Sequence, residues 1–148
     1  SFGSFVIYCG NIGSGQSMKA VNNIIYNINI VALCEILPLA VSVGLNPNAL
    51  LQVVMTGSSR SFASEHFAPR MFRRQFEGDF ALEDAYKDIL NFQQMATEKK
   101  ALVPLASAMI SSYQNAIKAG HGREPKSAII KIYEKILKVC FSNLKRSF

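Results

Sequence analysis

A chain of 148 residues has the size of one compact domain, and 49% hydrophobic with 10% aromatic residues is ample for a core, which excludes intrinsic disorder. The net charge of +6, from 16 Lys and Arg against 10 Asp and Glu, suits an anionic partner without choosing among carboxylates, phosphates, nucleic acid or an acidic membrane. Three widely spaced cysteines (Cys9, Cys34, Cys140), no CxxC pair and two distant histidines (His66, His121) exclude a zinc or disulfide framework, so no metal is expected. Free thiols fit a reducing compartment, the cytoplasm or an organelle matrix.

Phe5 to Cys9 is β-rich and is the one convincing strand pattern, yet a lone strand cannot make a sheet. No basic segment precedes an apolar run there, so it does not read as a secretory leader. Gly10, Gly13 and Gly15 follow, and then a helical stretch from about Ser17 to Val43, stopped by Gly44. Pro38 lies inside this stretch and predicts a kink near Cys34 to Pro38. The run from Ile24 to Val43 has Glu35 as its only charge and is long enough to span a bilayer. Asn27, Asn29, Glu35, Pro38 and Ser42 interrupt it, which favours a central or interfacial helix of a soluble protein.

Asn46 and Pro47 read as an N-cap and first helical position, opening a helix to about Thr56. Ser61 to Phe72 is a further helix, followed by an irregular turn with Gly78 and Asp79. Leu82 to about Lys100 is strongly periodic through Ala85, Ile89, Phe92 and Ala96. Pro104 opens a helix to Ala119, stopped by Gly120, and His121 to Pro125 is a loop. The last helix is expected from about Lys126 to Leu144, with Ile129, Ile132, Ile136, Val139 and Cys140 inward. Lys131, Glu134, Lys135 and Lys138 are expected on its solvated face. The prediction is an all-α bundle of about five to seven helices around one long helix, preceded by a short orphan strand.

The segment from Gly10 to Asn23 (GNIGSGQSMKAVNN) carries the chemistry. Its glycines are spaced GxxGxG rather than GxGxxG, and no acidic residue closes a second strand downstream, so it is not a dinucleotide-binding turn. Lys19 lies one turn into the helix, with Asn23 four residues later on the same face. Spacing alone leaves two readings open. Lys19 either projects into a crevice or is a surface lysine at a helix start, where the macrodipole slightly disfavours it.

The same segment resembles the G-x-x-G-x-G-x-x-x-K-x-x-N-N signature of the β-hydroxyacid dehydrogenases. Glu35, the Gly44-Leu45-Asn46-Pro47 turn, Phe80 to Asp88, Pro104, Tyr113 and the Gly120-x-Gly122 loop are similar in register. The resemblance implies a helical C-terminal domain like that of 6-phosphogluconate dehydrogenase. Residues 1–15 would be the end of the last strand of an absent N-terminal Rossmann domain plus a glycine-rich linker, and residues 16–148 a substrate and dimerisation domain. It implies an NAD- or NADP-dependent oxidoreductase interconverting a small β-hydroxy acid and its semialdehyde or keto acid. The cofactor would be held mainly by the absent half, and this domain alone would be inactive.

Lys19 would then be the catalytic lysine, acting as general acid on a carbonyl being reduced. Asn23 and Asn22 would bind substrate, Lys87 would lie near the cofactor, and Asp88 and Phe80 would shape the substrate side. Imine-reducing relatives lack lysine at the position of Lys19, so its presence favours hydroxy-acid chemistry. The chain departs from the family pattern at Pro125-Lys126-Ser127-Ala128, where D-x-S-A is common, and at Pro38 in the long helix. The expected partners are a small carboxylate-bearing substrate and a second copy of the chain, as a homodimer or higher homo-oligomer. The alternative is a non-catalytic helical dimerisation module. Nucleic acid and membrane are not expected partners: Arg70, Arg73, Arg74, Lys99, Lys100, Lys145 and Arg146 are scattered and form no binding motif.

Overall fold

The computed structural model describes residues 6–143. Six α-helices follow one another: α1 Ser14–Ser42, α2 Pro47–Thr56, α3 Phe62–Phe72, α4 Leu82–Glu98, α5 Pro104–Ala116 and α6 Ile130–Leu137. A π-helical turn, Ile117–His121, extends α5, and a 3-10 turn, Lys126–Ile129, leads into α6. The all-α expectation and the central long helix are both observed.

Local signals set most of the boundaries. Asn46 accepts the Ala49 N–H at 3.1 Å, with Pro47 at the first helical position. Ser61 and Ser64 exchange side-chain and backbone hydrogen bonds as a reciprocal cap. At the end of α1, Gly44 sits at φ +93°, and the N–H groups of Gly44 and Leu45 return to Val41 and Ala40. That closes the helix in a Schellman turn, whose left-handed residue favours glycine. Pro38 is buried within α1, and the helix continues through it to Ser42.

α1 is the spine of the domain. Ile24, Asn27, Ile30, Val31, Cys34, Leu37 and Pro38 are its buried residues, the three-and-four spacing of one helical face. That face packs against α3, α5, the 3-10 turn and α6, with Phe67, Met71, Tyr113, Ile129 and Ile130 closing the core. The other side stays apolar yet open: Met18, Val21, Ile25, Ile36, Leu39 and Val43 are all exposed.

α4 has no side-chain cap. Its first amides are satisfied from a distance instead: Leu82 N–H donates to the Glu124 carbonyl at 2.8 Å and Glu83 N–H to the Gly122 carbonyl at 3.0 Å. An antiparallel bridge between Ala81 and Pro125 completes this junction.

Two expectations fail. Residues 6–10 form no strand, and Val6, Ile7 and Tyr8 are exposed; Phe5 lies outside the described residues. A strand needs a partner, and among the described residues the only β-pairing is the isolated Ala81–Pro125 bridge. The last helix does not reach Leu144, which is also outside the described residues. It ends at Leu137, with Lys138 in the left-handed region at φ 54°. The cause is Glu134, which is buried rather than solvated. Its carboxylate takes two hydrogen bonds from Arg74, at 2.7 and 2.8 Å, and a third from the Phe141 N–H at 2.9 Å. This pulls the chain back so that Phe141 buries against Phe72, with ring centroids 5.6 Å apart. Ile136, expected inward, is 70% exposed.

Removing one member of a buried, bidentate pair strands the other charge. Glu134→Ala is therefore expected to lower stability by about 3–5 kcal/mol, read as a fall in the urea midpoint at unchanged slope. A loss below about 1 kcal/mol would place the pair among ordinary surface ion pairs and defeat the assignment.

Candidate functional site

The first turns of α1 and the middle of α4 enclose an open groove of about 350 Å³. α1 contributes Gln16, Lys19, Ala20, Asn23, Ile24 and Asn27, and α4 contributes Asp88 and Asn91. Lys19, Asn23 and Asn27 succeed one another at i, i+4 and i+8, so one helical stripe carries an ammonium and two amides into the same space. Ile24 supplies an apolar floor.

Lys19 and Asp88 are both exposed and, among the described residues, neither forms an ion pair or hydrogen bond. Two opposite charges thus flank the groove without neutralising each other by contact. Asn27 is 2% exposed, and its Oδ1 has no hydrogen-bond partner in the structure. A buried acceptor left this way is costly to the fold.

A second charged cluster joins α3 to the turn before α4. Asp79, in the turn before α4, accepts hydrogen bonds from His66 at 3.0 Å and Arg70 at 3.1 Å. Burial pushes its carboxyl up, but the hydrogen bonds from His66 and the Phe80 N–H, with the charges of His66 and Arg70, outweigh this and hold it below its ordinary value. His66 stacks on Phe62 at 5.3 Å, and Phe62 meets Tyr26 of α1 at 5.5 Å. On the Tyr26 ring rests the Lys126 ammonium, 4.2 Å from the centroid. Burial pushes the Tyr26 hydroxyl up to about 12 and the Lys126 ammonium down to about 8, the latter only partly opposed by Asp79 and Asp88.

Of the residues singled out in the sequence, Lys19, Asn23 and Asp88 come together in the groove. Asn22 is exposed and does not line it. Lys87 points away on α4, 74% exposed and 3.5 Å from Asp84. Phe80 is 53% exposed, with its N–H donating to Asp79 Oδ1 at 3.2 Å. Asn27, Gln16 and Asn91 were not anticipated. Asn27 was discoverable from spacing, as the next residue on the Lys19–Asn23 stripe. Lys126 was not, because only the distant Tyr26 ring explains where it lies. Of the basic residues weighed for nucleic acid, Arg70 and Arg74 are engaged internally by Asp79 and Glu134, and Lys145 and Arg146 lie outside the described residues.

Residues 13–133 match a family model described as "NAD-binding of NADP-dependent 3-hydroxyisobutyrate dehydrogenase". The chain is 29% identical over 141 residues to 2-(hydroxymethyl)glutarate dehydrogenase of Eubacterium barkeri, covering 95% of this chain and 47% of that enzyme. Mitochondrial 3-hydroxyisobutyrate dehydrogenase of Rattus norvegicus is 28% identical over 134 residues, 86% of this chain and 40% of the relative. The crystal structure of 3-hydroxyisobutyrate dehydrogenase from Salmonella typhimurium superposes with a TM-score of 0.77 at 26% identity, covering 81% of this chain and 42% of that one. The chain thus spans less than half the length of these relatives.

The buried ammonium has a consequence for stability. A lysine held near 8 in the folded chain and near 10.5 unfolded binds fewer protons when folded across that interval. Stability should therefore rise as pH climbs from about 8 towards 10.5, and Lys126→Met should flatten that rise. Denaturant unfolding across this range checks it; equal pH slopes for the two proteins would show that Lys126 is not desolvated.

Proposed function

The chain belongs to the β-hydroxyacid dehydrogenases, the oxidoreductase family of 3-hydroxyisobutyrate dehydrogenase, and from that membership we propose that it is the helical half of such an enzyme, with Lys19 as its proton-transfer residue. The reaction is the interconversion of a small β-hydroxy acid and its semialdehyde or keto acid. The observation that carries this reading is the convergence of Lys19, Asn23 and Asp88, from two helices far apart in sequence, on one open polar groove.

Reduction of a carbonyl leaves negative charge on oxygen, and a positioned ammonium both stabilises that charge and supplies the proton. In the oxidative direction the same amine receives the alcohol proton. Asn23, one turn from Lys19, holds the substrate oxygen and the lysine in register. Asp88 faces them from α4 and limits how much negative charge the groove admits on that side. Phe80, Asn22 and Lys87 stand outside the groove and act, in this reading, at its border with the dinucleotide-binding half. A bound NAD or NADP supplies hydride exchange with the substrate carbon. A groove of about 350 Å³ lined by amides, one ammonium and one carboxylate fits a small polar ligand, not a whole dinucleotide. Residues 1–15 then link to that other half and residues 16–148 form the substrate and dimerisation domain.

A second reading, a non-catalytic helical dimerisation module, draws on the exposed stripe of Met18, Val21, Ile25, Ile36, Leu39 and Val43 along α1. The two readings are compatible. Such a stripe is the surface a homo-oligomer would cover. α1 is also long and apolar enough to cross a bilayer, but its asparagines and Glu35 favour a protein partner. The thiols of Cys9, Cys34 and Cys140 fit a reducing cytoplasm or organelle matrix.

In the protein carrying both halves, Lys19→Ala should lower kcat for 3-hydroxyisobutyrate oxidation by about 10²- to 10⁴-fold. The 148-residue chain alone should show no turnover. Intact turnover in the alanine variant, measured by nicotinamide absorbance, would move the chain to the non-catalytic reading.

A further inference from the structure

We propose that the groove between the end of α5 and α6 binds an organic phosphate, a phosphate monoester with an apolar remainder. The sequence pattern places Lys131 and Lys135 on a solvated face and Ile132 and Ile136 inward. The structure instead brings all four to one open groove of about 520 Å³, together with Lys118 and His121 of the π-helical turn. None of these residues lines the groove between α1 and α4, so the assignment stands apart from the proposed function.

The backbone produces this meeting. The π-helical turn carries Lys118 and His121 three residues apart, with Gly120 at φ +94° inside it. Short π-helical stretches of this kind recur at functional sites. On α6, Lys131 and Lys135 lie one turn apart, as do Ile132 and Ile136, so ammonium groups and hydrocarbon run side by side. Among the described residues no acidic side chain lines the groove.

The cations are not equivalent. Glu124 binds both the Lys131 ammonium and His121 Nδ1, the latter at 2.6 Å, and so offsets that pair. Lys118 and Lys135 are exposed and, among the described residues, form no hydrogen bond or ion pair. The groove thus holds two uncompensated ammonium groups. A monocarboxylate would answer one of them, whereas a phosphate monoester carries about two negative charges at neutral pH and answers both. Lysine serves such a group as a point charge. Ile136, 70% exposed, and partly buried Ile132 give the same groove a hydrocarbon wall, which an apolar remainder would cover. A nucleic-acid backbone, charged along its whole length, would leave that wall bare, and the volume is that of a small-ligand site.

The test titrates phenyl phosphate into the 148-residue chain and follows the isoleucine methyl signals by NMR, with Ile132 and Ile136 assigned through their valine variants. Both signals should shift, uncharged phenol should leave them in place, and inorganic phosphate should bind more weakly than phenyl phosphate. Exchanging both Lys118→Gln and Lys135→Gln should weaken binding about tenfold or more, as loss of charge-assisted contacts would. Lys99→Gln, an exposed lysine outside the groove, should bind as the unaltered chain does. Circular dichroism reports whether the double variant folds, and if it does not, the comparison of the three ligands on the unaltered chain decides. Unmoved Ile132 and Ile136 signals at saturating phenyl phosphate overturn the proposal, as does undiminished affinity in the folded double variant. Inorganic phosphate binding as tightly as phenyl phosphate, or mixed-sequence DNA shifting the two signals at lower concentration, overturns it too. Turnover in Lys19→Ala bears on the other reading and leaves this result unaffected.

Discussion

A single long helix must satisfy two incompatible environments at once, and the rest of the domain is arranged around how α1 does so. Its middle and end offer an apolar face to α3, α5 and α6, and this face forms the core. Its first turns carry Gln16, Lys19 and Asn23, which cannot be buried dry. The change from polar to apolar occurs along one continuous stripe, with Asn27 at the seam. Because the helix is rigid over this length, burying Ile30, Cys34 and Leu37 fixes the direction in which Lys19 and Asn23 project. The core thereby aims the groove.

The sequence was most readable where structure is decided locally. Asn46 with Pro47, the stop at Gly44 and Pro104 opening α5 each act through the backbone of a few neighbouring residues, and each marks an observed boundary. It was least readable where a distant partner decides. Glu134 sits among lysines and reads as solvated, yet Arg74, sixty residues earlier, draws it into the interior and ends α6 early. The orphan strand failed for the opposite reason: its local propensity was right for a strand, but no described segment pairs with it.

The candidate site divides the same way. Lys19 and Asn23 were legible as neighbours because helical spacing puts them on one face. Their meeting with Asp88 was not available from spacing, since it depends on how α4 packs across α1; only the resemblance of the Phe80 to Asp88 segment pointed there. Lys126 was legible only as a departure from the family pattern and the start of a helix. Its position follows from the aromatic chain of His66, Phe62 and Tyr26, which joins α3 to α1 and has no local signature.

The uncapped start of α4 has a mechanical consequence for this arrangement. Because Leu82 and Glu83 donate to the carbonyls of Glu124 and Gly122, the helix bearing Asp88 and the turn bearing Lys126 are stitched together through main chain. Neither the helix nor the turn can tilt without carrying the other. The stitch contains no side-chain atoms, so it is insensitive to the identity of the residues that it aligns. Evolution could exchange the side chains on either element, Asp88 in the groove included, while the spacing between the helix and the turn stayed constant.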